Sequence, residues 1–204
     1  MGFYRNNVLP RIVDKICGMA DNTPHRERVC AGLHGDVVEM GFGSGLNVPY
    51  YATDVRSVAA IEPSDLAWKM AGTLVAASPA RVERSGLDGQ SLLFDDGSFD
   101  TALSTWTLCT IPDLGAALSE VRRVLRPGGT LHFVEHGLAP DEKVVRWQHR
   151  LDPLEQRILG GCHLTRDIPR ELEQAGFTIK ELDTFYDKGA PRFIAAFSLG
   201  VAVN

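Results

Sequence analysis

The stretch "VVEMGFGSG", residues 37–45, runs from an apolar segment into an acid and then places three glycines at alternate positions. A short apolar run followed by glycines is typical of a buried strand and the turn after it. Glycine allows positive φ and lets a ligand approach the backbone without a Cβ in the way. We therefore predict a first strand, a ligand-binding loop, and a helix over 46–52 whose N-terminal amides face an anionic group.

The rest of the chain alternates short apolar runs with helical segments, which predicts a parallel sheet covered on both faces. Only "YDKGAP" separates the last two strand candidates, so they should form an antiparallel hairpin. This pattern is typical of a Rossmann-like α/β, doubly wound sheet. The predicted strands are 36–40, 57–62, 81–86, 100–105, 130–136, 178–185 and 192–203. The predicted helices are 8–19, 23–32, 46–52, 64–77, 114–125 and 168–175.

The segment after the fifth strand is longer than a simple connection and should form a helical lid over the carboxyl edge of the sheet. Its apolar residues recur at three- and four-residue spacing, which predicts two short helices with Trp147 facing the core. Asp152 and Pro153 indicate the start of the second helix. We expect a single domain, residues 1–204, with an N-terminal helical cap at 1–34 and the lid at 137–166.

Composition excludes several classes of protein. With 204 residues, of which 44% are hydrophobic and 23% charged, the chain falls in the ordinary globular class. Its net charge of -5 offers no broad attraction for nucleic acid. The four cysteines lack metal-ligand spacing, so we predict no metal site and a reducing, cytoplasmic environment. The N-terminal residues predict no transmembrane segment and leave peripheral membrane contact and oligomeric state open.

Acidic residues at successive strand ends indicate the ligand. The third glycine of a dinucleotide fingerprint would fall at Leu46, so a nicotinamide dinucleotide is disfavoured. Glu39, two residues before the first glycine, suits the ammonium group of an amino acid. Glu62 stands where an acid can accept both hydroxyls of a ribose, and Asp88 can accept from an adenine amino group. Amino acid, ribose and adenine together predict S-adenosylmethionine as cofactor.

The chain resembles the class I S-adenosylmethionine-dependent methyltransferases from about residue 35 to residue 204. The motifs that carry this resemblance are "VVEMGFGSG", "AAIEPS", "LLFDDGSFDTALSTWTLCTIPD" and "LSEVRRVLRPGGTLHFVEH". The resemblance implies strand order 3-2-1-4-5-7-6 with the last strand antiparallel, and it places Thr105 and Trp106 beside the methyl donor. The candidate cofactor-binding residues are Glu39, Gly41, Gly43, Gly45, Asn47, Glu62, Pro63, Ser64, Asp88, Gly89, Thr105 and Trp106.

Further motifs resemble the small methyltransferase-like enzymes that methylate alkyl thiols, and their bacterial relatives. They are "GLNVPYY", "TLCTI", "FVEHG", a "WQ" in the lid and "GCHLTRD". We expect methyl transfer to a small-molecule acceptor, first a thiol or sulfide. The alternatives are a lipid-like quinone precursor or phospholipid amine, and a non-catalytic protein that binds the cofactor. The candidate catalytic residues are His136, Glu135 and His163, and the candidate substrate contacts are Tyr4, Cys109, Trp147 and Cys162.

Overall fold

Seven strands form one mixed sheet, in the order β3-β2-β1-β4-β5-β7-β6. The computed structural model describes residues 2–188 and 190–204. Strands β1 to β5 pair in parallel, while β7 is antiparallel to both β5 and β6, which confirms the predicted order and the terminal hairpin. The strands are β1 (Gly35–Met40), β2 (Val55–Ile61), β3 (Arg81–Gly86), β4 (Phe99–Thr105), β5 (Leu125–His136), β6 (Thr178–Tyr186) and β7 (Ala196–Val203).

Helices cover the sheet on both faces. On one face, α5 buries an apolar stripe that includes Leu118, Val121 and Val124, at the spacing of successive helical turns. On the other face, Val29 of α2 packs with Val58 and Leu103 of the sheet. The helices are α1 (Leu9–Cys17), α2 (Thr23–Cys30), α3 (Asp65–Met70), α4 (Gly72–Ala77), α5 (Leu114–Val124), α6 (Glu142–Ile158) and α7 (Ile168–Gln174). Within the described residues, none of the helices combines the length and apolar composition needed to cross a bilayer.

Two helix predictions near the first strands are wrong. The segment 46–52 contains only a short 3-10 helix, Val48–Tyr50. Tyr51 then takes an extended conformation, with φ −60° and ψ 134°, and its hydroxyl donates to the Glu39 carboxylate. The extended backbone at Tyr51 allows this bond to the buried Glu39, and it also ends the helix at Tyr50. The predicted helix 64–77 is divided into α3 and α4, with Gly72, a weak helix former, at the start of the second.

The lid prediction is also wrong in two respects. The lid contains one helix, α6, which continues through Pro153 instead of restarting there. The Asp152 carboxylate accepts from the Leu164 amide and from Gln156 Nε2, each at 2.6 Å, so it holds the loop after α6 and does not cap a second helix. Trp147 does not face the core, because 55% of it is exposed.

The lid helix turns a polar residue inward because its neighbours are backbone groups that need hydrogen bonds. Gln148 is fully buried. Its Oε1 accepts from the Ala139 amide at 2.9 Å, and its Nε2 donates to the carbonyls of Gly137 and Phe193 at 2.9 and 3.2 Å. Trp147, one position earlier, is therefore rotated about 100° away and lies on the outer face.

Candidate cofactor and acceptor site

The three glycines after β1 have different roles. All have positive φ, at 66° for Gly41, 60° for Gly43 and 79° for Gly45. A Cβ on Gly41 would lie 2.1 Å from Thr107 Oγ1, and one on Gly45 would lie 3.2 Å from the Ala71 Cβ. A Cβ on Gly43 would meet only the Gly41 carbonyl oxygen, at 3.9 Å. Gly41 and Gly45 thus allow close packing within the protein, while Gly43 leaves space in which a ligand fits.

Glu39 lies at the end of β1 and is only 1% exposed. Its carboxylate accepts from Asn47 Nδ2 at 2.8 Å and from the Tyr51 hydroxyl. Burial raises the pKa of Glu39 to about 7, and the bonds from Tyr51 and Asn47 offset part of that rise. The residue is therefore a carboxyl whose charge changes near neutral pH.

Arg26, on α2, is a site residue that the sequence did not reveal. Its Nη1 donates to Asn47 Oδ1 at 2.5 Å, and its Nη2 donates to the Cys17 carbonyl at 3.0 Å. The guanidinium carbon lies 4.7 Å from the centre of the Trp106 ring, within cation–π range. Arg26 is 5% exposed, so a buried positive charge lies near the loop that follows β1.

Glu62 follows β2 and is hydrogen-bonded to the glycine loop. Its Oε2 accepts from the Gly43 amide at 2.7 Å, and its Oε1 accepts from the Ser64 amide at 2.6 Å. Ser64 also caps α3, since its hydroxyl accepts from the Ala67 amide. Pro63, between them, is exposed. Burial raises the pKa of Glu62, and the two amide bonds act in the opposite direction.

Asp88 and Gly89 lie after β3, as the sequence predicted for the region beside adenine. Asp88 is exposed, and its Oδ1 accepts from the backbone and side-chain nitrogens of Gln90 at 2.9 and 3.1 Å. A Cβ on Gly89 would lie 2.5 Å from Met40 Cε, so the end of the Met40 side chain would have to shift to accommodate it.

Trp106 adopts a backbone conformation that is rare for a bulky residue. Its φ is 51°, the only positive φ of a non-glycine residue in the part of the chain that the structure describes. The amide of Trp106 donates to the Val134 carbonyl at 2.8 Å, and the Thr105 hydroxyl accepts from Asn47 at 3.0 Å. Strain of this kind is concentrated at functional sites, which supports the placement of Trp106 beside a ligand.

Glu135 supports the loop that follows β4. It is fully buried, and its carboxylate accepts from the Ser104 hydroxyl at 2.7 Å and from the amides of Thr107 and Cys109 at 3.1 and 3.3 Å. Burial raises the pKa of Glu135 to about 7, against the effect of these bonds. A carboxylate enclosed in this way does not reach an acceptor, which contradicts the predicted role as a base.

His136 and Cys162 form a buried pair. The Cys162 sulfur lies 3.4 Å from His136 Nδ1 and 3.6 Å from the Cys109 sulfur. The Cys109 bond and the His136 contact lower the pKa of Cys162 despite its burial. Burial opposes protonation of His136, but the Cys162 contact outweighs it and raises the pKa of the imidazole. His136 Nε2 has no hydrogen-bond partner among the described residues.

The remaining predicted acceptor residues lie on or beside the lid. The Tyr4 hydroxyl donates to the Ile158 carbonyl at 2.7 Å, so this residue contacts the end of α6. His163 Nδ1 lies 3.0 Å from Gln156 Nε2, and the His163 amide donates to the Cys109 carbonyl at 2.9 Å. Trp147 is on the outer face of α6, with the Arg150 guanidinium 5.4 Å from its ring, and its role as a substrate contact stays a prediction.

The N-terminal helices close over the glycine loop. The Ser44 hydroxyl donates to Asp14 Oδ1 of α1 at 2.5 Å, and Arg26 of α2 reaches Asn47. A separate cleft of about 250 Å³ lies between the lid and the hairpin, and Leu138, Arg166 and Ser198 are among its lining residues. That cleft is not bounded by Glu39 or Glu62. The N-terminal helices therefore contact the glycine loop and the segment after it through Ser44 and Asn47.

Comparison with known proteins identifies the class. Residues 38–133 match the family model described as a methyltransferase domain. An S-adenosylmethionine-dependent methyltransferase from Aquifex aeolicus superimposes with a TM-score of 0.67 at 16% identity, covering 95% of this chain and 97% of the other. The chain therefore has the Rossmann-like fold of that structure, and residues 38–133 match a methyltransferase domain, as the motifs predicted.

Within that class, the chain is similar to thiol S-methyltransferases. It is 36% identical over 155 residues to the thiol S-methyltransferase TMT1B of Homo sapiens, an alignment that covers 72% of this chain and 62% of the relative. It is also 31% identical over 137 residues to the phosphatidylethanolamine N-methyltransferase of Cereibacter sphaeroides, covering 61% of this chain and 63% of that protein. The chain thus spans a little over three fifths of the length of these relatives.

Proposed function

We propose that the protein transfers a methyl group from S-adenosylmethionine to the sulfur of a small thiol. The observation that carries this proposal is the buried His136–Cys162 pair at the carboxyl edge of the sheet, in which one imidazole nitrogen has no partner among the described residues. The ring of His136 packs edge-on against Phe197, at 6.0 Å, and Phe197 contacts Trp106 in the same way. An imidazole packed against aromatic rings suits an uncharged thiol better than a charged acceptor.

The residues around the glycine loop fit a zwitterionic nucleoside. Gly43 provides the open backbone position, and Glu62 and Asp88 are the acceptors for ribose and adenine in this proposal. Glu39 provides negative charge for the ammonium group. Arg26 has donors beyond the two bonds already described, and they suit the α-carboxylate. The amino-acid end of the cofactor would thus lie between the buried carboxylate of Glu39 and the buried guanidinium of Arg26.

When bound, the cofactor supplies a methyl group on a positively charged sulfur, so the protein mainly has to align and desolvate the acceptor. A thiol reacts as its thiolate, and its ordinary pKa is about 8.5. In this proposal, His136 acts in its neutral form with Nδ1–H toward Cys162, and its Nε2 receives the thiol proton and later releases it to solvent. Cys109 and Cys162 hold the imidazole in place, and the N-terminal cap excludes water.

Two other functions are carried forward from the sequence. Methylation of a phospholipid amine is favoured by the similarity to the Cereibacter sphaeroides phosphatidylethanolamine enzyme, and a quinone precursor belongs to the same group of lipid-like acceptors. Cofactor binding without turnover is the third. These acceptors differ from a thiol in size and charge, so direct assay distinguishes them.

The test is incubation of the purified protein with methyl-labelled S-adenosylmethionine and a panel of alkyl thiols, sulfide, phosphatidylethanolamine vesicles and a demethylquinone. We expect label on a thiol, and at least a 100-fold lower rate for His136→Gln. The matched control is His132→Gln, because His132 lies on the same strand and is buried, but bonds to Thr130. Label on the lipid and none on any thiol would reverse the proposal.

A binding measurement tests the cofactor half separately. Arg26→Met keeps the long aliphatic side chain and removes the positive charge, so S-adenosylhomocysteine should bind at least tenfold more weakly by calorimetry. Arg28→Met is the control, because Arg28 is also on α2 but pairs with Asp183 in a half-exposed position. Equal affinity in the Arg26 variant and the control would refute the carboxylate assignment.

A further inference from the structure

Three potential metal ligands from distant parts of the chain meet beside the proposed acceptor position. Cys109 lies on the loop after β4, His136 ends β5, and Cys162 lies on the loop after α6. We call these residues the sulfur–imidazole cluster. Their ligand atoms all lie within 4.8 Å of one another, and each residue is less than a tenth exposed. The expectation that the chain offers no set of metal ligands is therefore wrong.

Two of the three distances within the cluster are close to those of a tetrahedral metal site, and the third is below 4.8 Å. With metal–sulfur bonds of about 2.3 Å and metal–nitrogen bonds of about 2.05 Å, a tetrahedral zinc site has its sulfurs about 3.8 Å apart and sulfur about 3.6 Å from nitrogen. The structure has 3.6 Å between Cys109 and Cys162 sulfurs and 3.4 Å between Cys162 sulfur and His136 Nδ1. Small shifts of the side chains would accommodate the ion.

The backbone already holds the ligands in place. The Cys109 amide donates to Glu135, and the Cys109 carbonyl accepts from the His163 amide at 2.9 Å, which joins the two cysteine-bearing loops. Gly160 and Gly161, with φ of 70° and 107°, allow the sharp turn that brings Cys162 inward. Metal sites depend on this kind of support, because their ligands must be held close to the coordination geometry.

A second observation points to a ligand at this position. His136 is 6% exposed, yet its Nε2 is buried with no hydrogen-bond partner among the described residues. A histidine that ligates a metal through one nitrogen carries its proton on the other, which gives that nitrogen a defined role toward a further ligand or water. No group meets the hydrogen-bond criteria with this nitrogen, although the Ile194 backbone lies close enough to the imidazole to affect its protonation.

We propose that Cys109, His136 and Cys162 bind one thiophilic d¹⁰ divalent ion, zinc, and leave its fourth position open to an exogenous thiolate. Binding releases both cysteine protons to solvent, while the neutral imidazole coordinates through Nδ1. Three protein ligands with one open position are typical of reactive zinc sites. That the exogenous ligand is the methyl acceptor rests on the proposed function; the metal site itself does not. In the zinc-bound form the ion, in place of His136, would keep the acceptor deprotonated.

The first test is direct. Protein purified under reducing conditions and stripped with a chelator is given one equivalent of zinc and weighed by native mass spectrometry. We expect a mass gain of one zinc ion less two hydrogens. Titration with cobalt(II) should saturate at one equivalent with a thiolate-to-cobalt charge-transfer band. A chain that takes up no metal, or that gives only a Cys109–Cys162 disulfide, would overturn the proposal.

Variants then assign the ligands. Cys109→Ser, Cys162→Ser and His136→Gln should each weaken cobalt binding at least 100-fold, whereas Cys30→Ser should not, because Cys30 is fully buried outside the cluster. Zinc should raise the melting temperature of the parent and of Cys30→Ser alone. Undiminished affinity in the cluster variants would refute the assignment. The stoichiometry of the parent protein remains a valid test if a variant does not fold.

The open position has its own readout. Adding a small alkyl thiol to the cobalt form should change the visible absorption of the metal, and adding the corresponding alcohol should not. An unchanged spectrum would refute the open position. None of these measurements requires methyl transfer, so failure of the metal site and failure of the proposed activity can be told apart.

Discussion

Affinity for the cofactor should depend on pH through Glu39. In the free protein, burial raises the pKa of this carboxyl to about 7 from an ordinary value of 4.5. An ammonium group bound beside it would favour the ionised form, so cofactor binding must release the proton. With a pKa of about 7 in the free protein and one far below 5 in the complex, affinity should fall about 50-fold between pH 7 and pH 5.

The same shift affects stability without ligand. Because the folded-state pKa is above the unfolded value, the folded chain holds a proton that the unfolded chain releases between pH 4.5 and pH 7. The free energy of unfolding therefore declines as pH rises through that window, and Glu39 accounts for up to about 3 kcal/mol of the decline. Cofactor should counteract this loss most strongly above pH 7.

Calorimetric titration with S-adenosylhomocysteine from pH 5 to pH 7.5 measures the effect. Glu39→Gln should bind weakly at every pH and lose the pH dependence. Glu135→Gln is the matched control, since Glu135 is equally buried and its pKa is also raised to about 7, but it faces the loop after β4. If the slope persists in Glu39→Gln and vanishes in Glu135→Gln, the assignment of Glu39 to the ammonium group is refuted.

Further substitutions test the loop, the buried acid and the lid. Gly43→Ala and Gly128→Ala, both at positive φ with open space around the Cα, should each lower stability by about 1 kcal/mol, yet only Gly43→Ala should abolish cofactor binding by calorimetry. Tyr51→Phe removes a hydrogen-bond donor to Glu39, so chemical denaturation should show that the free energy of unfolding falls by about 1–2 kcal/mol. The pH at the midpoint of the change in cofactor affinity should rise. Gln148→Leu should cost about 3 kcal/mol and speed hydrogen exchange in the lid, whereas Trp147→Ala should change stability by less than about 0.5 kcal/mol.

Hydrophobic patterning predicted the strand segments and the terminal hairpin, whereas the strand order came from the resemblance to a known family. The buried strands β1, β4 and the second half of β5 are nearly continuous apolar runs, the edge strands β3 and β6 are more polar and alternate, and the short link before β7 required the antiparallel pair. The positions of Glu39 and Glu62 followed, because the carboxyl ends of parallel strands meet at one edge. Strand segments and the residues at their ends can therefore be predicted from the local sequence alone.

Features that depend on contacts between distant segments were not predictable. Arg26 has no motif, and its role arises only when α2 folds over Asn47. Cys109, His136 and Cys162 are scattered along the chain and meet only when the lid is in place. No spacing rule detects ligands that come from two loops and the end of a strand.

The lid shows where the hydrophobic pattern misleads. We predicted that apolar residues such as Trp147 would face inward, as they do in most helices. The inward neighbours of α6 are instead backbone amides and carbonyls, which need the polar side chains of Gln148 and Asp152. Where a helix packs on loops rather than on a sheet, hydrogen-bonding demand decides which face is buried.

Attachment of the lid through a few hydrogen-bonded side chains has a consequence for how the protein can diversify. The groups that Gln148 and Asp152 bind belong to the main chain, which is present whatever side chains surround it. Many other positions along α6 can therefore change over generations without detaching the helix. Descendants of this chain could change the residues that the lid presents while keeping the glycine loop and the acids at the strand ends unchanged.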